Sequence, residues 1–484
     1  MRRSVITLIM GLVLIGTPGG IVRSAMAAEK LSDRPQRMIV LSDMGADPDD
    51  TQSMVRLFLY ANEIEIRGLV ATTSVWKQSD PAPQLIEAVL NAYGAVQPNL
   101  LLHDPRYPSL ASLQGVVRRG AADYGMKGVG AGKDSPGSDL ILQELRRPDD
   151  RPLWVTAWGG ANTLAQALFT LRATVTTAEL SRLLSRLRVH TISDQDDAGP
   201  WIRQNFPDLF YIVAPGGDYG ASTWIAINSV IPGIDNSRIS NGWLAQHIQQ
   251  DHGPLGAAYP DVAWGMEGDT PSWLNLIPNG LNDPERPDWG GWGGRYRLTT
   301  PKIAIDQKVT FIDGKPIPQE TRPIWTNADD SYTPFVKADY GRAMKPGDTV
   351  FSDAKVTLWR WRDDFQNDFA ARMDWTVKPV AASNHPPRPA LSHPDRFTVK
   401  SGQGFGLDAG GTTDPDGDSL SYLWFTYPEA GTFKGKIDIS AENAIGVWVK
   451  APIVDAPQTI HFILRVSDKG TPSLTRYRRI IVTV

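Results

Sequence analysis

The sequence predicts an open α/β body followed by a small β-sandwich, and three observations carry that expectation. Short continuous apolar runs alternate with amphipathic stretches from Arg37 to about Ile231, as they do where strands are buried on both faces of a mostly parallel sheet with helices on either side. The first apolar run ends in a crowd of acidic residues, and the carboxyl ends of strands are where open α/β sheets bind ligands. Past a proline-rich stretch the pattern becomes short strand-like segments separated by turn clusters, which is how a sandwich reads.

Arg2 and Arg3 precede an apolar run from Val5 to Ile15, and Ala25-Met26-Ala27 supplies an Ala-x-Ala cleavage site. Residues 1–27 therefore read as a secretory signal. The run is too short to span a bilayer and no later stretch approaches the roughly 20 apolar residues a span needs, so the expectation is a secreted or periplasmic protein without stable membrane insertion. Met38 to Leu41 reads as the first strand, Thr51 to Tyr60 as a helix and Ile66 to Val70 as the second strand. Leu153 to Val155, Val189 to Ile192 and Leu209 to Val213 are further strands, and Asn162 to Leu171 is helix-like. From Ser237 to Ala381, Gly, Pro, Asn and Trp-rich loops decorate a body assigned to 37–382.

Residues 383–390, Ser-Asn-His-Pro-Pro-Arg-Pro-Ala, read as a semi-rigid linker. The sandwich is assigned to 391–484, with strands near Arg396, Gly404, Ser421, Ile460 and Arg478. Its segment Asp414-Pro415-Asp416-Gly417-Asp418 followed by Leu420 to Trp424 resembles immunoglobulin-like and cadherin-like modules. That acidic loop reads as a solvated turn, with weak calcium binding as the alternative. Truncation after Ser383 is expected to leave the chemistry of the body intact.

The chain has 484 residues with 49 basic and 53 acidic side chains, so bulk charge gives no grip on nucleic acid. It contains no cysteine, which excludes disulfides, thiolate nucleophiles and cysteine-ligated metals. No Gly-x-Ser-x-Gly elbow, Walker loop or His-Glu-x-x-His motif is present. Any metal must then use oxygen or histidine, and His190, His247 and His252 are scattered and read as structural.

Asp43, Asp47, Asp49 and Asp50 crowd the connection from the first strand to the first helix. Capping and the helix dipole account for one or two of them. Four together repel unless a cation neutralises them, and hard carboxylate oxygens favour calcium or magnesium.

Asp43-x-Gly45 and Asp49-Asp50, a helix, and then Gly68-Leu69-Val70-Ala71-Thr72-Thr73 resemble the amino-terminal motif of nucleoside hydrolases, Asp-x-Asp-Pro-Gly-x-Asp-Asp, with two residues inserted after Asp43. Val155 to Asn162 is similar to that family's strand ending in a Gly-rich turn. Arg56 to Tyr60, Thr191 to Asp197, Glu267-Gly268-Asp269-Thr270-Pro271-Ser272 and Trp359 to Arg362 resemble a secreted branch, the cellulose-binding proteins with a nucleoside hydrolase-like domain and a terminal sandwich. The resemblance implies a nucleoside hydrolase-like fold and one calcium ion. It implies Asp43, Asp50, Asp269 and the Ala157 carbonyl as ligands, Asp43 as the base that deprotonates water, and Asp49 and Asn162 as substrate contacts. Where many nucleoside hydrolases carry a leaving-group histidine, this chain has Gly268.

Asp194, Asp196 and Asp197 end another strand, and either bind hydroxyls, with Asp194 the candidate, or cap the next helix. Of 16 tryptophans, Trp289 and Trp292 sit in glycine-rich loops, and aromatic faces suit stacking on sugar rings. Trp292 is the candidate. Trp359 and Trp361 read equally as core. Two functions stay open: a calcium-dependent hydrolase of N- or O-glycosyl bonds, or a non-catalytic binder of plant cell-wall polysaccharide such as cellulose.

Overall fold

The computed structural model describes residues 34–216, 219–303, 316–337 and 344–484; the secretory signal expected at residues 1–27 lies outside them. Strands β1 (Gln36–Ser42), β2 (Ile64–Ala71), β3 (Val117–Arg119), β4 (Leu153–Ala157), β5 (Leu187–Thr191), β6 (Phe210–Val213), β7 (Tyr296–Thr299) and β8 (Ile324–Asn327) form one sheet. Its order is β3-β2-β1-β4-β5-β6-β8-β7, parallel except for the pair β8 and β7. The chain lays down β1, β2 and β3 outward in one direction, then returns to place β4 on the other side of β1. That reversal opens a crevice at the carboxyl ends of β1 and β4.

The helices are α1 (Asp49–Leu59), α2 (Pro83–His103), α3 (Leu110–Gln114), α4 (Pro136–Arg146), α5 (Asn162–Thr174), α6 (Thr177–Leu184), α7 (Ala198–Asn205), α8 (Asn241–Leu244), α9 (Gly253–Ala257), α10 (Pro271–Leu274), α11 (Val356–Trp359) and α12 (Arg362–Asp374). β1 shows why both sheet faces are covered. Its Met38 and Val40 join a core with α1, α2 and α12, while Ile39 and Leu41 join a second core with α4, α5, α6 and α7. Trp359 and Trp361 belong to helical backbone rather than a strand, and both are buried. Small hairpin pairs, β9 (Asp330–Tyr332) with β12 (Phe351–Asp353) and β10 (Phe335–Lys337) with β11 (Met344–Pro346), follow the sheet.

In the carboxyl-terminal domain β13 (Arg396–Thr398), β15 (Ser421–Thr426), β17 (Thr459–Ser467) and β18 (Thr475–Thr483) make one sheet, and β14 (Gly404–Asp408) and β16 (Gly446–Lys450) the other. Alternation decides what each face meets. Phe462, Leu464 and Val466 of β17 and Ile480 and Val482 of β18 fill the sandwich with Trp424, Leu407 and Val449. Ile463 and Tyr477 instead enter the core of the α/β body.

The two domains are consequently joined by a seam rather than held apart by a spacer. Asp364 of α12 accepts hydrogen bonds from Arg465 and Tyr477, and Asp368 accepts from Arg476 (2.7 Å), Arg372 (2.9 Å) and Tyr60 (2.7 Å). Asp330 is shared by Arg295, Arg360 and Tyr427. The connecting residues are also docked. His385 stacks on Trp375 and touches His103, and buried Asn384 donates to Asp468. Within the semi-rigid linker expected at residues 383–390, Asn384 and His385 thus have partners on both domains.

Burial opposes the charge of Asp368, but Arg476 and Arg372 outweigh it and hold its pKa down to about 2. Against an ordinary aspartate near 3.9, a depressed folded value adds stability that is complete above about pH 4 and is lost as pH falls toward 2. The expected contribution is roughly 2 kcal/mol. Urea unfolding of the wild type and Asp368→Asn checks it: the gap between them at pH 5 should shrink by pH 2.5, and a gap independent of pH would contradict the assignment.

Candidate functional site

The crevice between β1 and β4 is built from the strand-to-helix turn at residues 42–50. β1 delivers Ser42 and Asp43, and α1 begins at Asp49 with its Asp49 and Asp50 in the first turn, where the dipole favours carboxylates. The Ser42 hydroxyl donates to Asp50 Oδ1 (2.5 Å), and the Ser74 hydroxyl, from the loop after β2, donates to Asp43. Asp47 Oδ1 accepts the amide of Asp49 (3.0 Å). Carboxylate oxygens of Asp47, Asp49 and Asp50 lie within 4.8 Å of one another. Gly159, after β4, lets Asp43 approach closely, because a Cβ there would stand 2.6 Å from its Oδ1.

Asp269 comes to the same place from the loop before α10, some 220 residues later in the chain. A buried network carries it there. Arg56 of α1 pairs with Glu267 (2.5 Å), Tyr259 donates to Glu267 (2.7 Å), and Thr270 donates to Glu267 Oε2 (3.0 Å). Trp158 Nε1 donates to Ser272, whose hydroxyl donates to the Asp269 carbonyl. Arg56, Glu267 and Ser74 are positioning residues to which the sequence reading gave no role. A buried Arg–Glu pair joining distant segments leaves only an ordinary-looking residue at each position.

The pKa of Asp43 is raised by burial, and those of Asp49, Asp50 and Asp269 are raised well above the usual carboxylate range, by burial first and then by the charges of their neighbours. Among the described residues no lysine or arginine forms an ion pair with any of them, and buried Asp269 Oδ2 accepts no hydrogen bond. Convergent hard oxygens and an orphaned buried carboxylate oxygen fit a divalent cation such as calcium. Asp43, Asp47, Asp49, Asp50 and Asp269 are the side chains able to hold it. The Ala157 carbonyl accepts the Ile192 amide (3.3 Å) within the sheet and keeps one lone pair.

Three expected substrate contacts are engaged elsewhere. Asp194 is buried in a bidentate pair with Arg203 (2.8 and 2.9 Å), so its charge is satisfied inside the protein. Asn162 donates to Thr73 and to the Asp123 carbonyl and accepts from Thr72, leaving its amide no free hydrogen for a ligand. Trp292 is fully buried at the seam, edge-on to Phe365 and Tyr477, and Trp289 packs against His461 and Arg479. Their glycine-rich loops are covered by the sandwich and do not line the mouth. Asp196 accepts the amides of Asn162 and Ala198, and burial lifts its pKa to about 7; Asp197 accepts the Met126 amide. Of the two, Asp196 caps the next helix through Ala198, while Asp197, the first residue before that helix, makes no side-chain cap to it.

The aromatics that do stand at the crevice are others. Trp76 follows Ser74 and is 56% exposed, and Trp224 packs edge-on to Tyr219. A Cβ at Gly268 would be 2.8 Å from Asp49 Oδ2 and 3.1 Å from the Trp224 ring. A side chain at position 268 would press on Asp49 and Trp224. His190, buried against Tyr296 with its pKa lowered to about 3 by burial, stays neutral, and His252 is tied to Asp374.

Residues 37–296 match the model of a family described as cellulose-binding Sde182, nucleoside hydrolase-like domain, and residues 404–484 match the cellulose-binding protein Sde0182 carboxyl-terminal domain. A solved structure, a nucleoside hydrolase-related hypothetical protein from Saccharophagus degradans associated with carbohydrate metabolism, is 36% identical. It covers 93% of this chain and 99% of its own, with a TM-score of 0.76. The type III effector XopQ, solved with adenosine diphosphate ribose, is 11% identical over 52% of this chain and 70% of its own, with a TM-score of 0.28. No curated protein matches the chain.

Proposed function

The chain belongs to the cellulose-binding Sde182 family with its nucleoside hydrolase-like domain, and from that premise we propose that it is an exported, calcium-dependent hydrolase of glycosyl bonds in cell-wall carbohydrate. The observation that carries the reading is the convergence of Asp43, Asp47, Asp49, Asp50 and Asp269, with one buried oxygen orphaned, at the switch point of the sheet. A bound calcium would grip vicinal sugar hydroxyls and lower the pKa of a water beside the anomeric carbon. Asp43, oriented by Ser74, is the carboxylate placed to take that water's proton. Asp49 is half-buried at the lip and suits a hydroxyl contact. Trp76, whose backbone amide donates to the Ser74 hydroxyl that holds Asp43, is 56% exposed and suits an apolar sugar face. The amino-terminal signal sequence supports export.

Glycine at position 268 favours a second reading, a polysaccharide binder without turnover, because it supplies no leaving-group acid there. Assay of the full chain on nucleosides and aryl glycosides, with calcium and with chelator, alongside pull-down on insoluble cellulose, separates the two. Turnover lost in chelator and in Asp43→Asn, with cellulose retained by both proteins, is the expected result. Cellulose binding without turnover on any glycoside would leave the second reading standing.

A further inference from the structure

We propose that the loop Asp414-Pro415-Asp416-Gly417-Asp418, together with Asp468, binds a calcium ion that stiffens the joint between the two domains. Acidic residues at alternate positions, with Gly417 in the left-handed region (φ 81°), turn three carboxylates toward one point. Oxygens of Asp414, Asp416 and Asp418 lie within 4.8 Å of one another. Carboxylates on a loop suit calcium, which accepts oxygen ligands in variable geometry, better than magnesium, which demands a near-ideal octahedron.

The second observation is Asp468, at the end of β17. The pairing of Ser421 with Ser467 brings the acidic loop and Asp468 to the same end of the sandwich. Asp468 is fully buried. Its Oδ1 accepts from Asn384 Nδ2 (3.1 Å) and from the amides of Gly470 (3.1 Å) and Leu474 (2.9 Å), while its Oδ2 accepts nothing. Asp414 is arranged alike: Oδ1 takes the amides of Asp416 and Asp418, and buried Oδ2 takes nothing. The strand pairing thus brings two buried carboxylate oxygens that accept nothing, one from Asp414 and one from Asp468, to the same end of the sandwich. Two buried carboxylate oxygens without a donor are costly unless a cation lies between them.

The site reaches the domain joint through its own ligands. Asp416 accepts from the His385 amide (2.6 Å) and Nδ1 (2.9 Å), and Asp468 holds Asn384, which also donates to the Pro472 carbonyl. A cation fixing these two carboxylates would fix residues 384 and 385, the segment that docks on Trp375 and His103. Its ligands share nothing with the crevice at Asp43 to Asp50.

The test counts bound calcium by elemental analysis after equilibrium dialysis of the full chain, the double variant Asp414→Asn with Asp418→Asn, and Asp269→Asn. The double variant should bind one ion fewer than the wild type and lose part of the calcium-induced rise in Tm, while Asp269→Asn keeps that part. A folded double variant with the wild-type ion count would overturn the proposal. Hydrogen exchange on the wild type guards against a misfolded variant. Residues 412–420 and 466–470 should exchange at least tenfold more slowly in calcium, and rates unchanged by calcium would also overturn it.

Discussion

Asp269→Asn is expected to weaken calcium binding by roughly a thousandfold and to reverse the effect of chelator on stability. Opposite unit charges about 4 Å apart at an effective dielectric near 20 attract by about 4 kcal/mol, and every 1.4 kcal/mol is about tenfold in affinity. Asp269 faces Asp49, Asp50, Asp43 and Asp47, and their charges each raise its pKa. Without a cation these groups repel, so removing one charge relieves the protein; with a cation each carboxylate adds to its hold. In chelator the variant should therefore melt at or above the wild-type temperature, and in millimolar calcium below it. Elemental analysis and calorimetry in both buffers check this. A variant that keeps the full wild-type calcium count after dialysis, or a wild type indifferent to calcium, would remove the site.

Asp364→Ala is expected to cost about 2–3 kcal/mol, from a part-buried ion pair and from a buried hydroxyl left without its acceptor. The carboxylate receives Arg465, Tyr477 and Thr475 from the sandwich. Its loss takes the partner from the Arg465 guanidinium, which is partly exposed at the edge of the seam, and leaves the buried Tyr477 hydroxyl without its acceptor. Truncation after Ser383 would do more, uncovering Trp292 and Trp361 together with Asp330, Asp364 and Asp368. The crevice should lose little geometry in Asp364→Ala, because Tyr60, which meets the seam through Asp368, lies ten residues along α1 from Asp50, about 15 Å at 1.5 Å per residue. Urea unfolding and calcium content of the folded variant test both halves: a loss under about 1 kcal/mol would mean the seam is loose, and loss of calcium would mean the two ends of α1 communicate.

How far the sequence reached can be followed residue by residue. The continuous apolar runs at Met38 to Leu41 and Leu153 to Val155 announced strands buried on both faces, and the carboxylates at Asp43 to Asp50 announced a charged strand end, because both properties are local in the chain. Asp269 was reached only through resemblance, since nothing near it distinguishes one aspartate in a loop. The roles of Asp194, Asn162 and Trp292 were decided by partners remote in sequence: Arg203 for the first, Thr72, Thr73 and Asp123 for the second, and Phe365 and Tyr477 for the third.

By itself the sequence determined the α/β body, the sandwich that follows it and the location of the acidic turn, all of which rest on periodicity and on residues within a few positions of one another. The tertiary structure decided which charges are free and which are spent. An aspartate reads the same in the sequence whether one of its buried oxygens accepts no hydrogen bond, as with Asp269 Oδ2, or both already hold an arginine, as in Asp194. It also decided that the proline-rich segment is a docked joint, because the alternate residues of β17 and β18 have a second buried face that only the α/β body supplies. Burial and pairing are properties of contacts across the chain, and they become visible only when those contacts are formed.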